Sequence, residues 1–203
     1  MEDYDSTVFV VEDDEAVRDA LCMLVETVGL KCKTYRTAQD FLSDYDPGEP
    51  GCLVADVRMP GMSGLELQAK LAKDGMDIPI VIITGHGDVH MAVKALKSGA
   101  VDFVQKPFRD HTLLNSILKA VVIDARKRRK SVERSQLDAK LAELTSRERE
   151  VMDLLVTGKS TREVAKELNI SSKTVDIHRR RILDKMEVRS VVELVLATEQ
   201  LRD

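Results

Sequence analysis

"VFVVEDDE", residues 8–15, sets four strand-forming apolar side chains directly before four consecutive carboxylates. A continuous apolar run of this kind suits a strand buried on both faces of a sheet. Four adjacent acids repel one another unless water screens them or a cation sits among them. A helix start accounts for two of them. Val17, Ala20, Leu21, Leu24, Val25 and Val28 recur at helical spacing, and Asp14 and Glu15 stand where acids favour a helix N-terminus. Glu12 and Asp13 remain at the strand's C-terminal edge, in need of a cation or a role.

Outward from this stretch, strand and helix patterns alternate. Apolar strand candidates cover 7–11, 31–35, 52–55, 78–83 and 101–104, with helical patterns between them and Gly29, Gly75 and Gly99 as helix stops. Five such units within about 120 residues predict an α/β fold, a doubly wound parallel sheet with right-handed crossovers. Ligands of such sheets sit outside the carboxyl ends of the strands, where the strand order switches. The third strand runs out through "LVADVRMPGMSG" and presents Asp56, the fourth through "IVIITGHGD" and presents Thr84, the fifth through "DFVQKPF" and presents Lys106. Three acids, a hydroxyl and an ammonium on one edge form a site.

The chemistry open to that set is specific. Glu12, Asp13 and Asp56 offer hard oxygen ligands suited to Mg²⁺. With a divalent cation offsetting the repulsion between anions, the Asp56 carboxylate can attack phosphorus. Lys106 can pair with Asp56 at rest and with a phosphoryl oxygen afterwards, and Thr84 can turn its hydroxyl to another. His86 reads as a loop residue, with no second His or Cys near it, and Met59 and Met62 read as packing.

Charge is distributed unevenly. Residues 1–122 carry 12 basic and 20 acidic side chains, net −8; residues 123–142 carry 7 and 3, net +4; residues 143–203 carry 12 of each. An acidic front, a basic connector and a neutral tail predict two domains with different partners, 1–122 and 143–203, joined by a charged helical linker over 123–142 that includes "RKRRK". The acidic N-terminus lacks a signal-type basic region and no apolar run reaches membrane length, so a cytoplasmic protein without membrane contact is expected. Cys22, Cys32 and Cys52, odd in number and without CxxC spacing, read as reduced, buried small hydrophobes.

In the tail, residues 144–186 read as three short helices. Thr145/Glu148 and Ser160/Glu163 form capping-box pairs, and Ser171 or Ser172 caps the third helix. A small core of Val151, Leu154, Leu155, Val164, Ala165, Leu168, Val175, Ile182 and Met186 is expected. A fourth helix over about 190–201 completes the unit, with Val191, Val192, Leu194 and Val195 offering apolar surface. The third helix gathers Lys173, Arg179, Arg180, Arg181 and Lys185, the helix–turn–helix pattern of a major-groove reader.

These motifs resemble a known family. Residues 6–122 resemble the receiver domain of two-component response regulators, nearest the FixJ branch, on "VVEDDE", "DVRMPGMSG", "TGHGD" and "KPF" in that order. The resemblance implies a five-stranded sheet of order 2-1-3-4-5 and phosphorylation of Asp56 by a partner sensor histidine kinase. It further implies Mg²⁺ held by Glu12, Asp13, Asp56 and the backbone carbonyl of Arg58, with no organic cofactor. Thr84 and Phe103 would form the switch pair, and Lys106–Pro107 would be a cis peptide. A homodimer would form through the fourth helix, fifth strand and fifth helix, about residues 88–122. Glu12 stands where many members carry Asp, which makes the metal geometry particular to this chain.

Residues 144–186 resemble the LuxR/NarL-type four-helix DNA-binding domain, on "LTSREREV" and "TVDIHRRRILDKM". That implies a recognition helix in double-stranded promoter DNA, with Asp176, Ile177 and Arg180 reading bases and Lys173, Thr174, Arg179 and Arg181 on phosphates. His178 either packs or touches a phosphate. The combined expectation is a phosphorylation-controlled transcription regulator, an activator working with RNA polymerase. Its only chemistry would be acceptance of a phosphoryl group and slow self-dephosphorylation. A phosphatase of the haloacid-dehalogenase type also uses Asp, Thr, Lys and Mg²⁺, but places its nucleophile after the first strand. A tail that binds protein in place of DNA is the other rival.

Overall fold

The computed structural model describes residues 6–85 and 89–199. It divides into two compact units, the first ending at Arg128 and the second starting at Arg129. His86, on which a loop role was expected, lies outside the described residues.

In the first unit β1 (Thr7–Val11), β2 (Lys31–Tyr35), β3 (Gly51–Asp56), β4 (Ile80–Thr84) and β5 (Asp102–Gln105) form one sheet of order β2-β1-β3-β4-β5. Every pairing is parallel, as the alternation with helices requires. The fourth strand starts two residues later than its apolar run suggests because Pro79 has no N–H for the ladder; its carbonyl instead accepts from Leu53 N at 2.9 Å.

The period of two within each strand splits the core. Phe9, Val11, Leu53, Ala55, Ile80 and Ile82 face one layer, formed with α2 (Ala38–Asp44), α3 (Gly64–Lys73) and α4 (Val89–Lys97). Val8, Val10, Cys52, Val54, Val81, Ile83 and Val104 face the other, with α1 (Glu15–Glu26) and the start of α5 (Asp110–Ala142). Asp14 caps α1 through its carboxylate, 3.1 Å from Val17 N, so this acid serves the helix as its position suggested. Gly29 ends the following turn at φ +78°.

The cysteine expectation needs correction. Cys22 and Cys32 form a disulfide between the third turn of α1 and the edge strand β2, with a Cα–Cα separation of 5.6 Å. The short α1–β2 turn folds the strand back along the helix, a proximity that a spacing of ten residues does not advertise. Cys52 is a buried free thiol, as expected.

The basic run is more structural than its composition suggests. Arg128 donates to Asp124 and to the carbonyls of Pro47, Gly48 and Glu49, while buried Asp124 also accepts from Gly51 N at 2.9 Å. Lys127 pairs with Asp77 and Arg129 with Glu133. Three of the five cations of "RKRRK" are thus engaged by this chain's own carboxylates.

In the second unit α6 (Ser146–Val156), α7 (Thr161–Glu167), α8 (Ser172–Met186) and α9 (Val191–Glu199) surround a small core of Val151, Leu155, Val164, Val175, Ile182, Met186 and Leu194. Both expected capping boxes are present, and Ser171 caps α8. Leu194, expected to offer surface, is fully buried in this core, whereas Val192 and Leu196 lie on the exposed side of α9.

Candidate functional site

The carboxyl ends of β1, β3, β4 and β5 bring distant residues to one edge. Asp56 ends β3 and is buried. Its Oδ1 lies 3.1 Å from Lys106 Nζ, and its Oδ2 accepts from Arg58 N at 2.6 Å. Lys106 also donates to Glu12 Oε2 at 2.5 Å. Glu12, buried at the end of β1, therefore meets its cation 94 residues along the chain. That pairing answers the question its position raised. Burial pushes the Glu12 carboxyl above its ordinary pKa, against the hydrogen bond from Lys106. Burial also works against the Lys106 charge, but the bonds to Glu12 and Asp56 outweigh it and raise the ammonium above its usual value.

Thr84 is fully buried at the end of β4, and its carbonyl accepts from Lys106 N at 2.7 Å. The Lys106–Pro107 peptide is cis. Phe103 pairs with Ile82 across the β4–β5 ladder and packs against the α2–α4 layer. Asp13 is exposed beside the site, and Arg58 is exposed just after Asp56.

The donor set is chemically suited to a hard cation, two buried carboxylates and an exposed one with carbonyl oxygens close by. Among the described residues, however, no three carboxylates are gathered as a ready ligand group. Lys106 takes up the charge of Glu12 and Asp56 in their place.

Two residues of this edge escaped the sequence reading. Arg18, on α1, donates from Nη1 to the carbonyls of Glu12 at 2.7 Å and Asp13 at 2.9 Å, which pins the acid turn to the helix. Its only sequence signal is a cation one turn into a helix that follows four acids. Gly64 opens α3 so close to β3 that a Cβ there would stand 2.3 Å from the Asp56 carbonyl oxygen. The "MSG" after the strand carried that requirement without showing it.

On α8, Lys173, Asp176, Ile177 and Arg180 make one exposed stripe at helical spacing, opposite buried Val175, Ile182 and Met186. Arg179 and Arg181 are exposed beside it and Thr174 is half-buried. Asp176 has the Thr161 hydroxyl 3.5 Å from its carboxylate. His178 is half-buried, and its Nδ1 has no hydrogen-bond partner among the described residues.

Lys185 belongs elsewhere. It donates to Glu148 Oε2 at 2.7 Å and to the Glu143 carbonyl at 2.9 Å, so this cation braces the unit and does not extend the basic face. The Lys185 bond, then the Thr145 N–H, hold buried Glu148 at a pKa lowered to about 2. In the sequence, Glu148 shows only as half of a capping box.

An acid site at a parallel sheet edge and a helix–turn–helix on one chain define a signal-responsive transcriptional regulator. Two family models match, "Response regulator receiver domain" over residues 8–118 and "Bacterial regulatory proteins, luxR family" over residues 142–198. The chain belongs to the two-component response regulators that join a receiver domain to a luxR-type DNA-binding domain. It is similar to the response regulator protein TmoT of Ectopseudomonas mendocina, at 45% identity over 203 residues that cover 100% of this chain and 92% of that protein. It is similar to the transcriptional regulatory protein FixJ of Azorhizobium caulinodans, at 40% identity across 93% of this chain and 89% of that one. Among solved structures, response regulator StyR matches with a TM-score of 0.87 and 42% identity, covering 97% of this chain and 99% of that chain. The FixJ-type resemblance and the 2-1-3-4-5 receiver fold read from the sequence are thereby borne out.

Proposed function

We propose that Asp56 is the phosphoacceptor of this regulator. The observation that carries the reading is the Asp56–Lys106 contact of 3.1 Å in a buried sheet-edge site that Thr84 borders. An Asp56 oxygen attacks the phosphorus of a phosphohistidine on a partner sensor kinase, and the phosphorus–nitrogen bond breaks with its electron pair going to the imidazole. Mg²⁺, generally held by receiver domains of this kind, would bind through Glu12, Asp13, Asp56 and the Arg58 carbonyl, where it offsets the repulsion between the two anions. Lys106, already bonded to Asp56, takes one phosphoryl oxygen, and the Thr84 hydroxyl takes another. The added charge of about −1.5 to −2 draws Thr84 inward, and Phe103 follows into the space beside it.

Val89, Val93 and Leu96 form an exposed apolar stripe on α4, which suits a homodimer through α4, β5 and α5. Paired α8 helices then read two half-sites of promoter DNA, Asp176, Ile177 and Arg180 at bases and Lys173, Thr174, Arg179 and Arg181 at phosphates. The domains run over 1–122 and 143–203 with a charged linker between them. The complex works in the cytoplasm with RNA polymerase, as an activator. No helix among the described residues is long and apolar enough to cross a membrane.

Acetyl phosphate with Mg²⁺ tests this on the full chain. Mass, oligomer size and retention of promoter duplex increase together in wild type and not in Asp56→Asn. A wild type that gains no phosphoryl mass overturns the reading.

A further inference from the structure

The disulfide has an unexpected neighbour relationship. Cys22 lies four residues after Arg18, on the same face of α1. Arg18 holds the carbonyls of Glu12 and Asp13. From the other side, Glu12 N donates to the Tyr35 carbonyl at 3.1 Å, at the end of β2, the strand that carries Cys32. Helix, acid turn, edge strand and sulfur bridge therefore form one closed ring, with the metal-ligand candidates at one end and the two sulfurs at the other. Opening the sulfur bridge leaves α1 and β2 joined covalently only by the four-residue turn at the far end of the helix.

Regulators that act on the chromosome work in a thiol-rich compartment, where disulfides are transient and redox-sensing more often than structural. Cys22 and Cys32 are both half-buried, within reach of a small molecule, while Cys52 is buried and its thiol pKa is pushed well up by that burial. The sulfurs belong to the two elements that frame the acid turn.

We infer that Cys22 and Cys32 are a reversible redox site, closed by a low-molecular-weight disulfide such as oxidised glutathione, whose closure changes the Mg²⁺ affinity of the acid site through α1 and Arg18. One cysteine, as thiolate, attacks a sulfur of the small disulfide; a small thiolate leaves and a mixed disulfide forms. The second cysteine attacks the protein sulfur of that bond and expels the other small thiolate. The two cysteine protons end on the two small thiols, and the small disulfide has taken two electrons. The coupling rests on the reading of Glu12, Asp13 and Asp56 as a metal site; the redox chemistry does not.

The test equilibrates the full-length protein in buffers that run from reduced to oxidised glutathione. Thiols are then alkylated under denaturing conditions and counted by mass, and Mg²⁺ affinity is titrated calorimetrically on the native protein at each end. Wild type should pass from three alkylated cysteines to one across a cytosolic range of glutathione ratios, and its Mg²⁺ affinity should change about fivefold, a modest coupling between sites. Cys22→Ser and Cys32→Ser should each hold a single affinity throughout, and Cys52→Ser should respond as wild type does. Reduced wild type is itself the unlinked reference, so the outcome does not depend on either serine variant folding. Three thiols in every buffer, or one in every buffer, overturn the redox site. Equal Mg²⁺ affinities in the two states overturn the coupling. Absence of Mg²⁺ binding in both states overturns the metal reading and the coupling with it, and the thiol count still decides the redox site.

Discussion

Lys106 Nζ stands 2.5 Å from Glu12 and somewhat farther, 3.1 Å, from Asp56, so the resting partner of this lysine is the glutamate as much as the aspartate. Both carboxylates are buried, and among the described residues Lys106 is the cation that bridges them. Lys106→Met therefore leaves two carboxylates together without their cation, and should lower stability by about 3 kcal/mol, as when one partner of a buried pair is removed. Adding Glu12→Gln should return most of that loss, because the remaining buried charge is then single. Urea unfolding of wild type, both single variants and the double variant measures the coupling; additive losses would refute it.

Glu148 gives the chain an acid-sensitive joint. Its pKa, about 2 in the folded protein against an ordinary 4.5, is held down first by Lys185 and then by the Thr145 N–H. A depressed carboxyl contributes stability that is fully present above pH 4.5 and fades as pH falls toward 2. Glu148→Gln should cost about 2 kcal/mol at pH 7 and progressively less below pH 4.5, vanishing near pH 2. Helical circular dichroism of the full chain across that range is the measurement.

Gly64→Ala forces a methyl group to within 2.3 Å of the Asp56 carbonyl oxygen, a backbone atom that cannot swing aside. The start of α3 must shift, at a cost of about 2 kcal/mol typical of overpacking. Because the obstructed atom belongs to Asp56, phosphoryl uptake from acetyl phosphate should also slow. Ser63→Ala, which removes the cap of α3 but adds no bulk, should cost about 1 kcal/mol and leave the uptake rate unchanged.

Three basic residues of α8 should respond in three different ways. Arg180→Ala should weaken promoter binding by about 1–3 kcal/mol and relax preference at particular base pairs. Arg181→Ala should weaken all sequences alike and reduce the salt slope by about 1. Lys185→Met should leave the salt slope unchanged, since this lysine is bonded to Glu148 and the Glu143 carbonyl. Fluorescence anisotropy across a salt series separates the three.

Local pattern alone carried the architecture a long way. Continuous apolar runs and helical spacing set the five strands and their crossovers, and Thr145/Glu148, Ser160/Glu163 and Ser171 marked helix starts that the structure contains. These features depend on residues within a turn or two of one another, so they survive without knowledge of the fold. That Asp56, Thr84 and Lys106 meet at one edge was legible for a related reason: Asp56 and Thr84 end strands, Lys106 directly follows one, and parallel strands deliver their ends to one edge.

Folding decided the rest, because it chose partners between segments that sequence distance does not connect. Glu12 found Lys106, Glu148 found Lys185 and Asp124 found Gly51 N across separations of 94, 37 and 73 residues. Cys22 met Cys32 because a turn laid an edge strand along a helix, and Leu194 went inward because α9 packs on α6 and α8. A side chain's charge and size are written in the chain, but its neighbours are set by packing, and packing determines whether a cation binds DNA or neutralises a buried acid.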